Sequence, residues 1–148
     1  MLKKALKDSR YRAWYTEEKK MYLVLGLDWF NQKVMIATNG IPIWYPIEDL
    51  FILMQYSGLH DRKHTSEYPK GQGIYVGDII QFPFLLKQEN GETQETIIKD
   101  VVAFERESGM FIVAGLDDPF ALHNDECEII GNIYENPELM SEAQKVRG

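Results

Sequence analysis

Two histidines four residues apart have the spacing in this chain that best suits metal chemistry. His60 and His64 would share one face of a helix and could chelate a metal ion there. Gly58 precedes them and a Gly/Pro-containing segment follows, which favours a loop, and Asp61 stands where the HExxH motif of zinc proteases has glutamate. His123 is distant in sequence. We therefore predict solvated loop histidines and no metal site.

Acidic residues near the C-terminal end could supply oxygen ligands for calcium or magnesium, or a carboxylate pair for acid/base catalysis. Their spacing fits no EF-hand loop. A glycosidase pair is defined by its separation in space, which sequence spacing does not give. Because charge runs usually face water, we predict a solvated acidic loop. The residues are Asp117, Asp118, Asp125, Glu126 and Glu128.

Serine and glycine motifs of catalysis are incomplete. Ser57 and Ser108 each precede a glycine, but neither lies in a GxSxG nucleophile elbow. The segment 71–73, Gly-Gln-Gly, lacks the third glycine of a dinucleotide fingerprint and the lysine of a phosphate loop. We predict that these are turn residues and that the chain has no catalytic or cofactor-binding residue.

Aromatic residues are numerous, with three Trp, eight Tyr and seven Phe. Such side chains stack on nucleic-acid bases or anchor protein interfaces. Base-stacking platforms normally add a basic groove, whereas most of this chain is acidic, so we predict core packing for most aromatics, including each Trp. The candidates weighed are Trp14, Trp29, Trp44, Tyr45, Tyr56 and Tyr75.

Charge is unevenly distributed along the 148 residues, whose formal net charge is −7. Residues 1–20 carry seven Lys/Arg against three Asp/Glu, and the rest of the chain is strongly acidic. An acidic body disfavours nonspecific nucleic-acid binding, which draws on counterion release by Lys and Arg. The basic extension, residues 1–10, is either a solvated terminus or a contact for nucleic acid or an acidic partner.

Cysteine usage and hydropathy indicate the cellular compartment of the protein. A single cysteine, Cys127, forms no internal disulfide, so we expect a reducing compartment and a small buried side chain at this position. No apolar run is long enough to span a bilayer, and no signal-peptide core follows the basic N-terminus. We expect a cytoplasmic protein that does not enter a membrane.

Short β-favouring runs separated by turn signals dominate the chain. Asn39-Gly40 predicts a hairpin between 33–38 and 41–45. The segment Asp61–Gly73 predicts the longest loop, and Pro83 marks an edge or a bulge in a strand over 74–87. We predict a mainly β, or β-rich α+β, fold built as a small twisted barrel-like sheet.

The segment 128–140, EIIGNIYENPELM, predicts a strand followed by a helix start. Gly131 indicates a bulge or a close backbone approach. Asn136 suits a helix cap and Pro137 the first helical position. A short C-terminal helix is predicted to follow, with Leu139, Met140, Ala143 and Val146 on one face.

Four sequence blocks in fixed order resemble the YopX-like family of bacteriophage and prophage proteins. They are YRAW at 11–14, LMQYSGLHD at 53–61, IYVGDII at 74–80 and EIIGNIYENPEL at 128–139. The chain departs from the family pattern in its longer 60–73 link and in Val76, which replaces a common glutamate. The resemblance implies one β-rich domain over residues 11–148, of phage origin and oligomeric, and it supplies no catalytic residues.

Together these features favour a non-enzymatic, self-associating module that binds a host or phage protein in the bacterial cytoplasm. The first alternative is a nucleic-acid-associated regulator that uses the basic extension 1–10. A small hydrolase is the second alternative, and it would need His60, His64 or His123 close to the acids near residue 125.

Overall fold

The computed structural model describes residues 9–115, 118–119 and 126–139, and in these ranges the chain is strand and turn. No helical element lies within them, since only Glu138 and Leu139, at the edge of a described range, have helical backbone. The prediction of a mainly β chain is confirmed. The predicted C-terminal helix is not seen, because residues 140–148 lie outside the described part. The barrel-like arrangement stays a prediction.

The strands follow the chain in this order: β1 (Tyr11–Tyr15), β2 (Lys20–Leu23), β3 (Gly26–Asp28), β4 (Lys33–Thr38), β5 (Ile41–Pro46), β6 (Phe51–His60), β7 (Gly73–Tyr75), β8 (Asp78–Lys87), β9 (Thr93–Glu105), β10 (Met110–Val113), β11 (Asp118–Pro119) and β12 (Glu128–Asn132). No helix of the described residues is long and apolar enough to cross a membrane.

The chain divides into two compact units, an N-terminal unit over Met1–Gly58 and a C-terminal unit over Leu59–Gly148. Each unit has its own cluster of buried apolar side chains. The assignment of residues 11–148 to a single domain stays a prediction.

The N-terminal unit contains two antiparallel arrangements. β1 pairs with β2 on one side and with β6 on the other, and β4 pairs with β3 and β5. The predicted hairpin at Asn39-Gly40 is confirmed: it joins β4 to β5, and both turn residues have positive φ, 52° and 79°. Two positive φ angles are the requirement of a type I′ hairpin turn, which asparagine and glycine meet with little strain.

The core of the N-terminal unit follows from the two-residue period of its strands. Val34 and Ile36 alternate with outward residues on β4 and are fully buried. They pack with Ala13, Tyr15 and Phe51. The rings of Tyr15 and Phe51 stack with centroids 4.6 Å apart, which fixes β1 against β6.

The C-terminal unit is built around one five-stranded sheet with the strand order β11-β10-β9-β8-β12. β8 and β9 pair over their whole overlap, from Ile79 opposite Val101 to Lys87 opposite Thr93. Phe82 and Ile98 form the centre of its core, where Cys127 is also buried, as predicted. β7 is not part of this five-stranded sheet and lies instead beside β6, whose last two residues belong to this unit.

The bulge in β12 and the turn that follows it depend on particular residues. The register slips between Ile129 and Gly131, which is the predicted bulge. A Cβ on Gly131 would lie 2.5 Å from Asn136 Oδ1, so a larger side chain would displace Asn136. Asn136 Oδ1 accepts from Asn132 N, and Asn132 Oδ1 accepts from the backbone N–H groups of Tyr134 and Glu135. The Asn136 side chain therefore holds the preceding turn, and the helix that it was predicted to cap lies beyond the described residues.

Candidate functional site

The histidines considered for metal binding do not lie on a helix. His60 is the last residue of β6 and His64 is exposed in the 61–72 loop. Residues 116–117 and 120–125 lie outside the described part, so the positions of Asp117, His123 and Asp125 are not described. Among the described residues, no group of three His, Cys, Asp or Glu could hold a metal ion.

The acids that can be placed are not assembled for catalysis. Glu126 is exposed, and Glu128 Oε1 lies 3.6 Å from Arg62 Nε in a partly exposed ion pair. Asp118 is described in its backbone alone, as part of β11. The hydrolase alternative remains a prediction, and three of the residues weighed for it, Asp117, His123 and Asp125, lie outside the described ranges. The basic extension is likewise described only from Ser9 onward.

A buried carboxylate that the sequence did not single out organises the long loop. Asp61 is 5% exposed and accepts hydrogen bonds from Gln72 N at 2.9 Å and Ile129 N at 3.1 Å. Its own N–H donates to Gln72 O, which closes the loop at its base. Gly71 has φ 93°, and a Cβ there would lie 2.1 Å from the Asp61 carbonyl oxygen. Both carboxylate oxygens hold backbone, so Asp61 has a structural role.

The same loop borders a cleft of about 360 Å³, which is lined in part by Asp61, Lys63, Glu67 and Tyr68. Thr65 and Tyr68 close a turn within the loop, because Tyr68 N donates to Thr65 Oγ1 and Thr65 N to Tyr68 O. Burial, and then the nearby Glu67 carboxylate, raise the pKa of the Tyr68 hydroxyl. None of the described residues that line the cleft is a histidine.

The exposed aromatic residues of the N-terminal unit form a different kind of surface. Trp29 and Phe30 occupy the four-residue turn between β3 and β4, with 62% and 95% of their surfaces exposed. The Trp29 ring rests edge-on against Tyr11, with centroids 6.1 Å apart. Adjacent large aromatics with so much exposed surface are typical of binding anchors.

The turn that presents these aromatics is held by one carboxylate. Asp28 Oδ1 accepts from Asn31 N at 3.0 Å, and Oδ2 accepts from Asn31 Nδ2 at 2.8 Å. These hydrogen bonds, the side-chain one first, lower the pKa of Asp28. Gln32 has φ 53° and returns the chain into β4. The Trp29–Phe30 turn is therefore a constrained loop, which lowers the entropy lost when its side chains bind.

The strand beside this turn is also apolar and exposed. Trp44 on β5 is 47% exposed, and its ring lies with Met35 over Gly26, where an added Cβ would be 3.2 Å from both side chains. Residues 34–47 contain no charged side chain, although 26% of the chain is charged. An uncharged, partly aromatic hairpin on an acidic protein is a surface suited to protein contact.

Core packing was therefore the wrong prediction for two of the three tryptophans. Trp29 lies in the turn between β3 and β4, and Trp44 stands opposite Met35, on the face of the hairpin away from the buried Val34 and Ile36. Tyr75 is buried as expected, and Tyr45 packs at the margin of the N-terminal core. Trp14 and Tyr56 are half-buried. The sequence pattern of the strands did not distinguish buried from exposed aromatic residues, because both environments favour the same residue types.

Comparison with known proteins assigns the family. A protein-family profile described as YopX protein matches residues 10–141, which is nearly the whole chain. No curated protein and no solved structure gives a significant match.

Proposed function

The chain belongs to the YopX family, and we propose that it is a non-enzymatic, self-associating module of phage origin that binds a host or phage protein in the bacterial cytoplasm. The observation that carries the proposal is the Trp29–Phe30 turn. Its aromatics are largely exposed and lie outside the core cluster of the N-terminal unit, and Asp28 accepts two hydrogen bonds from Asn31 that hold the turn.

Charge supports protein as the class of partner. Near the Trp29–Phe30 turn, residues 34–47 carry no charge, and the one basic residue of β4 is Lys33. A phosphate backbone would find little basic surface here, whereas a protein patch with an apolar centre would lose few solvated charges on binding. The buried Asp61 carboxylate beside the 61–72 cleft accepts backbone hydrogen bonds with both of its oxygens, so this carboxylate does not favour an enzymatic role.

Photo-cross-linking tests the binding surface directly. A photoreactive phenylalanine analogue placed at Phe30 should yield adducts of discrete mass with a partner protein when irradiated in infected host cells. Glu89 is exposed in the turn between β8 and β9 and serves as the matched control position, where we expect no such adducts. Equal adducts at both positions, or none at Phe30, would contradict the assignment of the surface.

Intact-mass measurement tests the self-association. The purified chain should have a mass that is a multiple of the single-chain mass at micromolar concentration. A single-chain mass throughout the accessible concentration range would contradict self-association and would leave the partner-binding result to be judged by cross-linking alone.

A further inference from the structure

The first half of β9 is an edge of the C-terminal sheet. β8 pairs along one side of β9, whereas β10 pairs on the other side only with residues 102–105. Residues 93–99 of β9 therefore have no strand on their second side among the strands that the structure describes. Such an edge can pair with another strand.

The direction of the backbone groups follows from two hydrogen bonds. Ala114 N donates to Val101 O on the side of β10, and Gly77 N donates to Val102 O on the opposite side. Backbone groups alternate in direction along a strand, so Glu95, Ile97 and Lys99 direct their N–H and C=O groups away from β8. All of these residues have an N–H, so the edge presents alternating donors and acceptors.

The other side of this hairpin does not offer the same edge. β12 pairs with β8 only from Asp78 to Gln81, so residues 82–87 of β8 are also uncovered by a described strand. Pro83 stands opposite Ile97, where its backbone faces outward and provides no N–H. Pro83 therefore removes one donor from the outward edge of β8, whereas positions 95, 97 and 99 of β9 each have an N–H.

Beyond residue 82 the two strands form a ribbon, and none of the other described strands pairs with it on either side. Leu85 and Ile97 lie on one face of this ribbon, 63% and 49% exposed. A two-stranded ribbon is marginally stable in water, whereas four paired strands with apolar side chains support one another. Pairing with further strands would therefore stabilise the ribbon.

We propose that this partner is a second copy of the chain, so that the β9 strands of two protomers pair antiparallel about a two-fold axis at Ile97. The proposal rests on the self-association in the proposed function and assigns its interface. Ile97 stands opposite Ile97 of the partner subunit, and each Glu95 stands opposite Lys99 of the partner subunit. Six backbone hydrogen bonds follow from the outward groups of Glu95, Ile97 and Lys99.

Charge complementarity selects both the occupant and the register. Glu95, Ile97 and Lys99 share one face of β9, and only an axis at Ile97 sets acid opposite base twice. An axis at Glu95 would place two glutamates side by side, and an axis at Thr96 would oppose Glu95 with isoleucine. The pattern is complementary to itself in antiparallel orientation, which a two-fold interface requires.

Exchanging the two charges tests the interface. Glu95→Lys and Lys99→Glu each place like charges opposite one another twice per dimer, so each variant alone should raise the dissociation constant of this contact by at least about tenfold. Mixed in equal amounts, the two variants should associate with each other, because the acidic strand of one then faces the basic strand of the other.

Sedimentation velocity on the wild type, each variant and the mixture gives the readout, with circular dichroism confirming the strand content of each variant. Weakened single variants and a restored mixture support the β9 interface. Single variants that associate like the wild type, or a mixture that is not restored, overturn it while self-association stands. A wild type that never associates overturns self-association itself.

Discussion

β5 and the first half of β9 both lie at a sheet edge, yet they differ in the backbone N–H groups that they present there. On β5, Pro42 and Pro46 alternate with Trp44 at the positions whose backbone groups face away from β4. This follows because Thr38 and Ile41, which flank the two-residue turn, form a hydrogen-bonded pair, and such pairs recur at every second position. Two of the three outward N–H groups are thereby absent. On β9 the outward positions 95, 97 and 99 have no proline.

An exposed sheet edge can therefore favour either side-chain contact or backbone pairing, depending on whether its outward N–H groups are present. The proline edge of β5 resists extension of the sheet, so contact there must come from side chains such as Trp44 and from the nearby Trp29–Phe30 turn. The intact edge of β9 can pair through its backbone, with side-chain charges setting the register. The two units thus carry the two parts of the proposed function, partner binding in the N-terminal unit and self-association in the C-terminal unit.

Removing the prolines of β5 should have the largest effect. Pro42→Thr together with Pro46→Thr supplies two outward N–H groups in a β-favouring residue, so β5 should gain edge pairing. We expect new, concentration-dependent species larger than the wild-type assembly in sedimentation velocity. The matched control is Pro69→Thr, an exposed position of the 61–72 loop that lies outside any strand, where we expect the wild-type size distribution. An unchanged size distribution for the β5 double variant would show that the prolines are not what limits pairing there.

Truncating the aromatic turn should separate binding from folding. Trp29→Ser with Phe30→Ser should abolish partner cross-linking while changing the free energy of unfolding by less than about 0.5 kcal/mol per site, because exposed side chains contribute little to stability. Ile36→Ala, in the core of the same unit, should cost about 2–5 kcal/mol. Urea denaturation measures both. A destabilised aromatic variant would assign Trp29 and Phe30 a structural role.

Acidification should loosen the aromatic turn, with a smaller effect. The pKa of Asp28 is lowered in the folded state, so its contribution to stability is present above the unfolded pKa of about 3.9 and is lost as pH falls through the folded value. We expect Trp29 fluorescence to change in that acidic range in the wild type and much less in Asp28→Asn. Identical pH profiles would remove Asp28 as the group that holds the turn.

Local signals predicted much of the strand pattern. Asn39-Gly40 encodes its hairpin within a few residues, and Gly77-Asp78 begins β8 in the same way. The 61–72 loop was also predicted, from its proline and glycines. These elements depend on turn chemistry that is complete within a short window, so one sequence suffices to find them.

The candidate surfaces depended on pairings that are distant in sequence. Asp61 is structural because Ile129, 68 residues later, donates to it. The first half of β9 is an edge because β10 pairs only with residues 102–105. Neither fact is encoded near the residue concerned. The charge pattern of Glu95 and Lys99 was visible in the sequence, but a role in strand pairing can be inferred from it only once the β9 edge is known.

Cysteine cross-linking at the two-fold axis tests the β9 interface most directly. In the paired edge, the Cα atoms of residue 97 in the two subunits would be about 5.5 Å apart, within the range of a disulfide. Oxidised Ile97→Cys should therefore form a covalent dimer. Leu85→Cys is more exposed than residue 97 but lies one strand away from the interface, so it should stay monomeric under denaturing conditions. Cys127 is fully buried and provides no competing thiol. Absence of the dimer for Ile97→Cys, or equal dimer for both variants, would contradict pairing at β9.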